Sequence, residues 1–436
     1  MLTEPAVSTA ALPADATTPP TRAVLASMFG TVVEWYDFSV YGAASALVFG
    51  KIFFPNVDAM AGLLASYGAF AVGFLIRPIG GVFFSYFGDR YGRKPVLVAT
   101  LLTMGISTTA IGFLPTYASV GVWAPILLVA LRMVQGFGAG GEFAGAILFA
   151  SEYAPPGRRG LFGSFAPASV MISLLLSALI FRVFSSLPAE EFLSWGWRVP
   201  FLLSIVAVIT GYFIRQRVGE TPEFLAIRSQ AAKLRMPIVE IVRGYPKLVL
   251  LAMGVNVIQV MGYVHVVFAT SYMNTNLGTP AITTLVIQMT TFVACGVACI
   301  AGGALSDVVG RKPVLIGASI ASALYAFPMF WLLDTRSPVL MALGMVLGAF
   351  TLFPFFGTQS AFYTETFDTR FRYSGITLAR ELTYAIFGGP LPFLATTFVI
   401  QAGGKGWPVS VIMIVMSTIS FVSLLFIQKQ SPASPQ

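Results

Sequence analysis

The chain has 436 residues, of which 56% are apolar and only 10% charged, with a formal net charge of +8. A soluble globule of this length carries far more charge, so the composition assigns an all-α membrane protein with many spans. The positive balance does not indicate nucleic acid, because the basic residues are spread over loops between apolar runs.

Residues 1–21 are rich in Ala, Thr and Pro, lack a basic start and an apolar core, and read as a disordered tail rather than a signal peptide. At about 20 residues per span, apolar runs predict helices at 22–49, 62–87, 95–114, 123–150, 161–184 and 199–216. A second set falls at 248–273, 281–305, 313–333, 338–364, 373–400 and 407–427. That gives twelve spans in two bundles, 22–216 and 248–428, joined by a linker at 217–247 and followed by a short tail at 429–436. The linker is basic and includes an amphipathic helix expected at 222–234. Of the 26 Lys and Arg residues, 18 fall in loops on the side of the termini and 5 opposite, while Arg77, Arg132 and Arg380 lie inside spans. By the positive-inside rule both termini are cytoplasmic, as in a multi-pass protein of a bacterial-type inner membrane.

Gly88-Asp89-Arg90-Tyr91-Gly92-Arg93-Lys94-Pro95 recurs as Ser306-Asp307-Val308-Val309-Gly310-Arg311-Lys312-Pro313, and Asp89 and Asp307 are separated by 218 residues, half the chain. Duplication at that offset marks two related halves, an arrangement typical of transporters. Glu152 at the end of the fourth span and Glu365 at the end of the tenth can reach Arg93 and Arg311 of the two turns, which would latch neighbouring helix ends together. These turns, with Glu34-Trp35-Tyr36-Asp37-Phe38, Arg132-Met133-Val134-Gln135-Gly136, Gly140-Gly141-Glu142 and Trp195-Gly196-Trp197-Arg198-Val199-Pro200, resemble the metabolite:proton symporter branch of the major facilitator superfamily. The resemblance covers about residues 22 to 428 and includes the shikimate and α-ketoglutarate permeases. It implies two pseudo-symmetric six-helix bundles, a cytoplasmic gate of Asp89, Arg93, Glu152, Asp307, Arg311 and Glu365, no cofactor besides the coupling proton, and a monomeric functional unit in the bilayer.

Charges within spans are costly and normally face a cavity with a partner. Glu34, Asp37 and Tyr41 share one face of the first helix at i, i+3, i+7, beside Tyr36. Arg132 and Gln135 are one turn apart on the fourth, and Glu142 lies about 15 Å further along by helix rise. Asp37 and Arg132 form the expected ion pair and match, residue by residue, the pair that couples the proton in the related sugar porters. Glu34 and Glu142 are the next candidates for the proton. Arg132 suits a carboxylate through its planar fork.

Arg77 precedes Pro78 inside a span, where it reads either as a cavity cation or as a donor to carbonyls freed by the proline. In the second half, Asn256, Gln259 and Tyr263 form a polar stripe and Arg380 with Tyr384 an i, i+4 pair, all candidates for the substrate. Glu381 adjoins Arg380 but projects about 100° away. Resemblance to the shikimate permeases implies an uncharged pair at 380–381, so these charges set the chain apart. His265 lies on the face opposite Asn256 and reads as packing, as do Cys295 and Cys299.

The sequence thus indicates proton-coupled uptake of a small organic acid anion. A zwitterion such as betaine or proline is the alternative, against which stand Arg380 and the few residues after the last span, where the osmosensing members imply a long coiled coil. A sensor would want a larger cytoplasmic domain, an ATP-driven pump a phosphate-binding loop, and an enzyme or metal site a constellation that the spacing of residues does not supply.

Overall fold

The computed structural model describes residues 19–231, 237–388 and 390–428, and among these the chain is helical with no strand. Of the expected tails at 1–21 and 429–436, residues 1–18 and 429–436 lie outside the described residues, as do 232–236 of the linker, while residues 20–21 already belong to the first helix. The first half contains α1 (20–53), α2 (Ala59–Tyr91), α3 (Arg93–Gly112), α4 (Trp123–Glu152), α5 (Arg159–Ser185) and α6 (Ala189–Gln216). The second contains α7 (Pro246–Asn276), α8 (Ala281–Val309), α9 (Arg311–Asp334), α10 (Pro338–Thr366), α11 (372–388 and 391–401) and α12 (Trp407–Phe426). The expected helix at 222–234 is present as Pro222–Ala231, and a second one, Pro237–Gly244, precedes α7.

Each helix reaches its neighbour for a reason visible in the residues. A single residue, Gly92, separates α2 from α3 with φ of 122°, and Gly310 separates α8 from α9 with φ of 97°. Only glycine takes this backbone freely, which explains the Gly before Arg-Lys in both turns. Large apolar side chains such as Leu75, Val308 and Leu324 point outward with 69%, 84% and 74% exposure, as a lipid-facing surface requires. The polar helices lie inside. Within Arg372–Thr383 of α11 every residue except Leu382 is buried, and α1 buries Ser27, Thr31, Glu34 and Asp37 completely.

The halves meet along two equivalent seams, α2 against α11 and α5 against α8. At the second, a Cβ on Gly160 would stand 2.2 Å from the Gly303 carbonyl oxygen, so the backbones are in direct contact there. Ala23 and Val218 pack with Leu97 and Tyr153, and Lys312 Nζ donates to the Ile427 carbonyl. Both described chain ends therefore sit at the face that carries the two turns, the basic face of the bundle.

Candidate functional site

Four charged side chains from three helices interlock inside the bundle. Arg77 of α2 donates from Nη2 to Glu34 Oε1 of α1 at 2.7 Å and from Nε to Glu381 Oε2 of α11 at 3.1 Å. The other oxygen of Glu381 accepts from Arg380 Nη1 at 2.5 Å. All four residues are at most 5% exposed, and the group is neutral, two guanidinium groups against two carboxylates. Aromatic faces complete it, with the Arg380 guanidinium 3.9 Å from the Phe143 ring centre and 5.0 Å from that of Tyr384, and Tyr384 edge-on to Tyr263 at 6.0 Å. Since Glu34 and Arg77 belong to the first half and Glu381 to the second, the group ties the halves together at depth.

A second group lies within the first half. The Arg132 guanidinium is enclosed by Phe38, Tyr41 and Phe70 at 4.3, 4.3 and 4.7 Å, stacking that a planar cation favours. Arg132 donates to Gln135 Oε1, Gln135 Nε2 donates to Thr108 Oγ1 at 2.6 Å, and Thr108 donates to Asp37 Oδ2 at 2.7 Å. Asp37 and Arg132 are thus joined by a relay through α3 and α4. Several buried polar atoms here and on α7 have no protein partner: Arg132 Nη2, Asp37 Oδ1, the Tyr41 hydroxyl, and the side-chain amides of Asn256 and Gln259. Buried polar atoms are normally satisfied, and such a concentration of exceptions fits a place where a polar ligand belongs.

At the basic face the two turns act reciprocally. Asp89 at the end of α2 accepts from the backbone N–H of Tyr373 and Ser374 at 3.0 and 2.9 Å, the first turn of α11 in the other half. Asp307 at the end of α8 accepts from the N–H of Gly160 and Leu161, both at 2.8 Å, the first turn of α5. Each half therefore supplies a carboxylate to a helix N-terminus of the other, where orphan N–H groups and the positive dipole end welcome it. Arg93 lies 3.6 Å from Glu152, which also binds Arg372 at 3.1 Å, and Arg311 binds Asp307 at 2.5 Å and Glu365 at 3.1 Å. From the linker, Glu220 accepts the N–H groups of Arg93 and Lys94, while Glu223 pairs with Arg159 of one half and Arg372 of the other. Burial holds the Glu220 carboxyl above the usual carboxylate range, against the lowering by these donors and by the Arg93 charge.

A family model described as sugar (and other) transporter matches residues 23–241. The chain is 36% identical over 420 residues to the shikimate transporter of Escherichia coli strain K12, covering 94% of this chain and 95% of that one. It belongs to this transporter family. The transporter is also 34% identical over 414 residues to a proline/betaine transporter of Salmonella typhimurium, covering 90% of this chain and 81% of that one. Its fold matches the major facilitator proton:xylose symporter XylE bound to 6-bromo-6-deoxy-D-glucose, with TM-score 0.77, 16% identity, and 94% and 96% of the two chains covered. Against the inward-open form of XylE from E. coli the TM-score is 0.62, at 15% identity with 95% and 98% covered.

The transporter's side chains depart from the sequence expectations at five points. Asp37 and Arg132 form no direct ion pair, because Thr108 and Gln135 stand between them. Glu142 is remote from that relay and instead binds Arg215 of α6 and Thr100 of α3. Tyr36 donates to the Pro200 carbonyl at 2.8 Å, tying α1 to α6 instead of facing a substrate. Arg77 serves two carboxylates and reaches the Ala139 carbonyl at 3.4 Å, not carbonyls freed by Pro78. Glu381, expected to project about 100° away from Arg380, instead binds it and is the hub of the central group, since its two oxygens find cations on different helices.

Tyr41, Gln135, Asn256, Gln259 and Arg380 are buried and Tyr263 and Tyr384 half-buried, although α7 narrows to a 3₁₀ turn at Val257–Val260 and then widens to a π turn, which breaks the regular stripe. His265 packs edge-on to Phe353 at 6.1 Å. Thr108, Arg215, Glu220, Glu223 and Arg372 escaped the sequence reading. Only the acidic pair around Thr221-Pro222, a helix start, carried a local signal.

Proposed function

We propose that this transporter is a secondary active carrier that takes up a small organic acid anion together with protons by alternating access, as a monomer in a bacterial-type inner membrane with the basic face and both termini cytoplasmic. The observation that carries the reading is the set of three buried guanidinium groups, Arg77, Arg132 and Arg380, beside polar atoms of α1 and α7 that lack protein partners. Guanidinium forks in a dry core match carboxylate geometry and charge. In this reading Arg77 and Arg380 receive the carboxylate of the substrate, Arg132, Gln135, Tyr41, Asn256, Gln259 and Tyr263 receive its remaining polar groups, and Asp37 carries the proton. Asp37 suits that role because its charge is the least compensated of the deep carboxyls: one hydroxyl donor, no guanidinium within ion-pair distance, and a free second oxygen. A carboxyl so placed is relieved of a large desolvation penalty by taking a proton and regains it on deprotonation, which couples its charge to what Arg132 binds.

The reciprocal caps of Asp89 and Asp307 hold the basic face closed in this state. Inward opening requires α11 to leave Asp89 and α5 to leave Asp307. Arg93, Glu152, Arg311 and Glu365 brace the two carboxylates. Likeness to a proline/betaine transporter keeps a zwitterionic osmolyte as the second reading.

The test is a thermal-shift screen of the purified transporter with shikimate, 2-oxoglutarate, proline and glycine betaine, since a ligand of the folded state raises the midpoint by mass action. The reading expects a shift with a carboxylic acid. A shift with betaine or proline alone would replace it by the second reading.

A further inference from the structure

Glu381 has no role in the relay of Asp37, yet it is buried at 4% exposure with each oxygen on a different guanidinium group, Oε2 on Arg77 of the other half and Oε1 on Arg380. The carboxylate of Glu381 thus stands where a carboxylate substrate would find two guanidinium groups converging from two halves. The remaining groups around it are Glu34 of α1, reached through Arg77, Tyr263 of α7 and Tyr384 of α11, with Phe143 of α4 closing the Arg380 side. Arg380 Nε has no hydrogen-bond partner, so the pair of cations is not saturated by the protein.

Resting on the proposed reading, we propose that Glu381 is a tethered counter-anion that fills the carboxylate subsite between Arg77 and Arg380 in the empty carrier, and that a monocarboxylate enters by displacing it while Glu381 takes a proton from water. The charge count selects the substrate class. Empty, the group holds two guanidinium groups and two carboxylates and is neutral. A displaced, unprotonated Glu381 would leave a net negative charge in a dry core, a costly state. A monoanion with one proton on Glu381 restores neutrality, whereas a dianion leaves one charge uncompensated and a zwitterion brings an ammonium to two guanidinium groups. The Glu381 step is therefore one proton per monocarboxylate and electroneutral, and the tether keeps the cations occupied so that the empty site does not admit inorganic anions.

The experiment measures binding of radiolabelled shikimate, and the protons taken up on binding with a pH-sensitive dye, for the full chain in detergent. Glu381→Gln removes the competitor and should tighten shikimate binding by about tenfold or more, as expected for freeing charged hydrogen bonds, while the proton uptake falls by one per site. Glu381→Asp keeps the titrating acid but withdraws it from Arg77, so binding should tighten by less with uptake unchanged, and this variant decides the matter if the Gln variant does not fold. Binding that is unchanged or weaker in both variants, or proton uptake unaltered in Glu381→Gln, overturns the tether. If the wild type binds betaine and no carboxylate, the functional reading falls, and the tether with it. If the wild type binds shikimate with proton uptake and Glu381→Gln behaves identically, the tether alone falls.

Discussion

Asp89→Asn should open the basic face. In the closed state both Asp89 oxygens are used, on the N–H groups of Tyr373 and Ser374, at the positive end of α11. Asn keeps one carbonyl acceptor and loses the charge. A hydrogen bond to a charged group contributes about 1.5–3 kcal/mol and the helix-dipole interaction about 0.3–1 kcal/mol. When the face opens, water replaces part of both, so a net shift of about 2 kcal/mol is expected, or about thirtyfold in the closed-to-open ratio. A 1% open population would then become roughly a quarter. Asp307→Asn should act alike through α5, and the two shifts should add, because the caps are on separate seams. Spin labels at Tyr91 and Val308, exposed by 56% and 84% at the ends of α2 and α8, would report the separation by pulsed electron resonance in a background without Cys295 and Cys299. Identical distance distributions in wild type and the double variant would refute the assignment of these carboxylates as closing elements.

Asp37→Asn should preserve substrate binding and counterflow exchange while abolishing proton-driven accumulation in proteoliposomes. Arg132→Lys, which keeps charge but loses the fork over Phe38 and Tyr41, should weaken substrate binding by about tenfold or more in the same preparations. Glu142→Gln leaves Arg215 buried without its counter-charge and should cost about 3–5 kcal/mol of stability, read as a lowered unfolding midpoint; an unchanged midpoint with an altered pH profile of transport would move Glu142 into the proton path. Glu220, whose carboxyl is held above its ordinary range by burial, favours the protonated folded form, so its contribution to stability is full at low pH and is lost as pH rises through the raised value. Glu220→Gln should remove that decline from the unfolding midpoint measured between about pH 4 and 7. Single cysteines at Lys51 and the exposed Tyr91 should be labelled from outside and from inside respectively in intact cells, and the reverse pattern would invert the topology.

Length and apolar periodicity set the twelve spans, since a bilayer admits few solutions to a chain with so little charge. The duplicated Asp and Gly-Arg-Lys turns likewise revealed two halves, and the positive φ of Gly92 and Gly310 is the backbone reason that the motif contains glycine. Sequence spacing also found most of the charged residues at depth, because a charge in a span is rare enough to be noticed one residue at a time. What spacing could not give was pairing. Periodicity orders residues along one helix, but Glu381 meets Arg77 across 304 positions, Asp89 caps α11 from 284 positions away, and Glu142 finds Arg215 rather than Arg132. These partners are chosen by which helices pack together and at what height. A direct Asp37 and Arg132 pair is what charges within the spans and the resemblance to the sugar porters imply, and it does not form because Thr108, a residue with no sequence signal, comes from α3 to stand between them. The local helix faces were properties of the chain, whereas the charge compensation inside the membrane is a property of the assembled bundle, where Arg77, Arg215 and Arg380 take nearby carboxylates while Arg132 rests on Gln135 and aromatic rings.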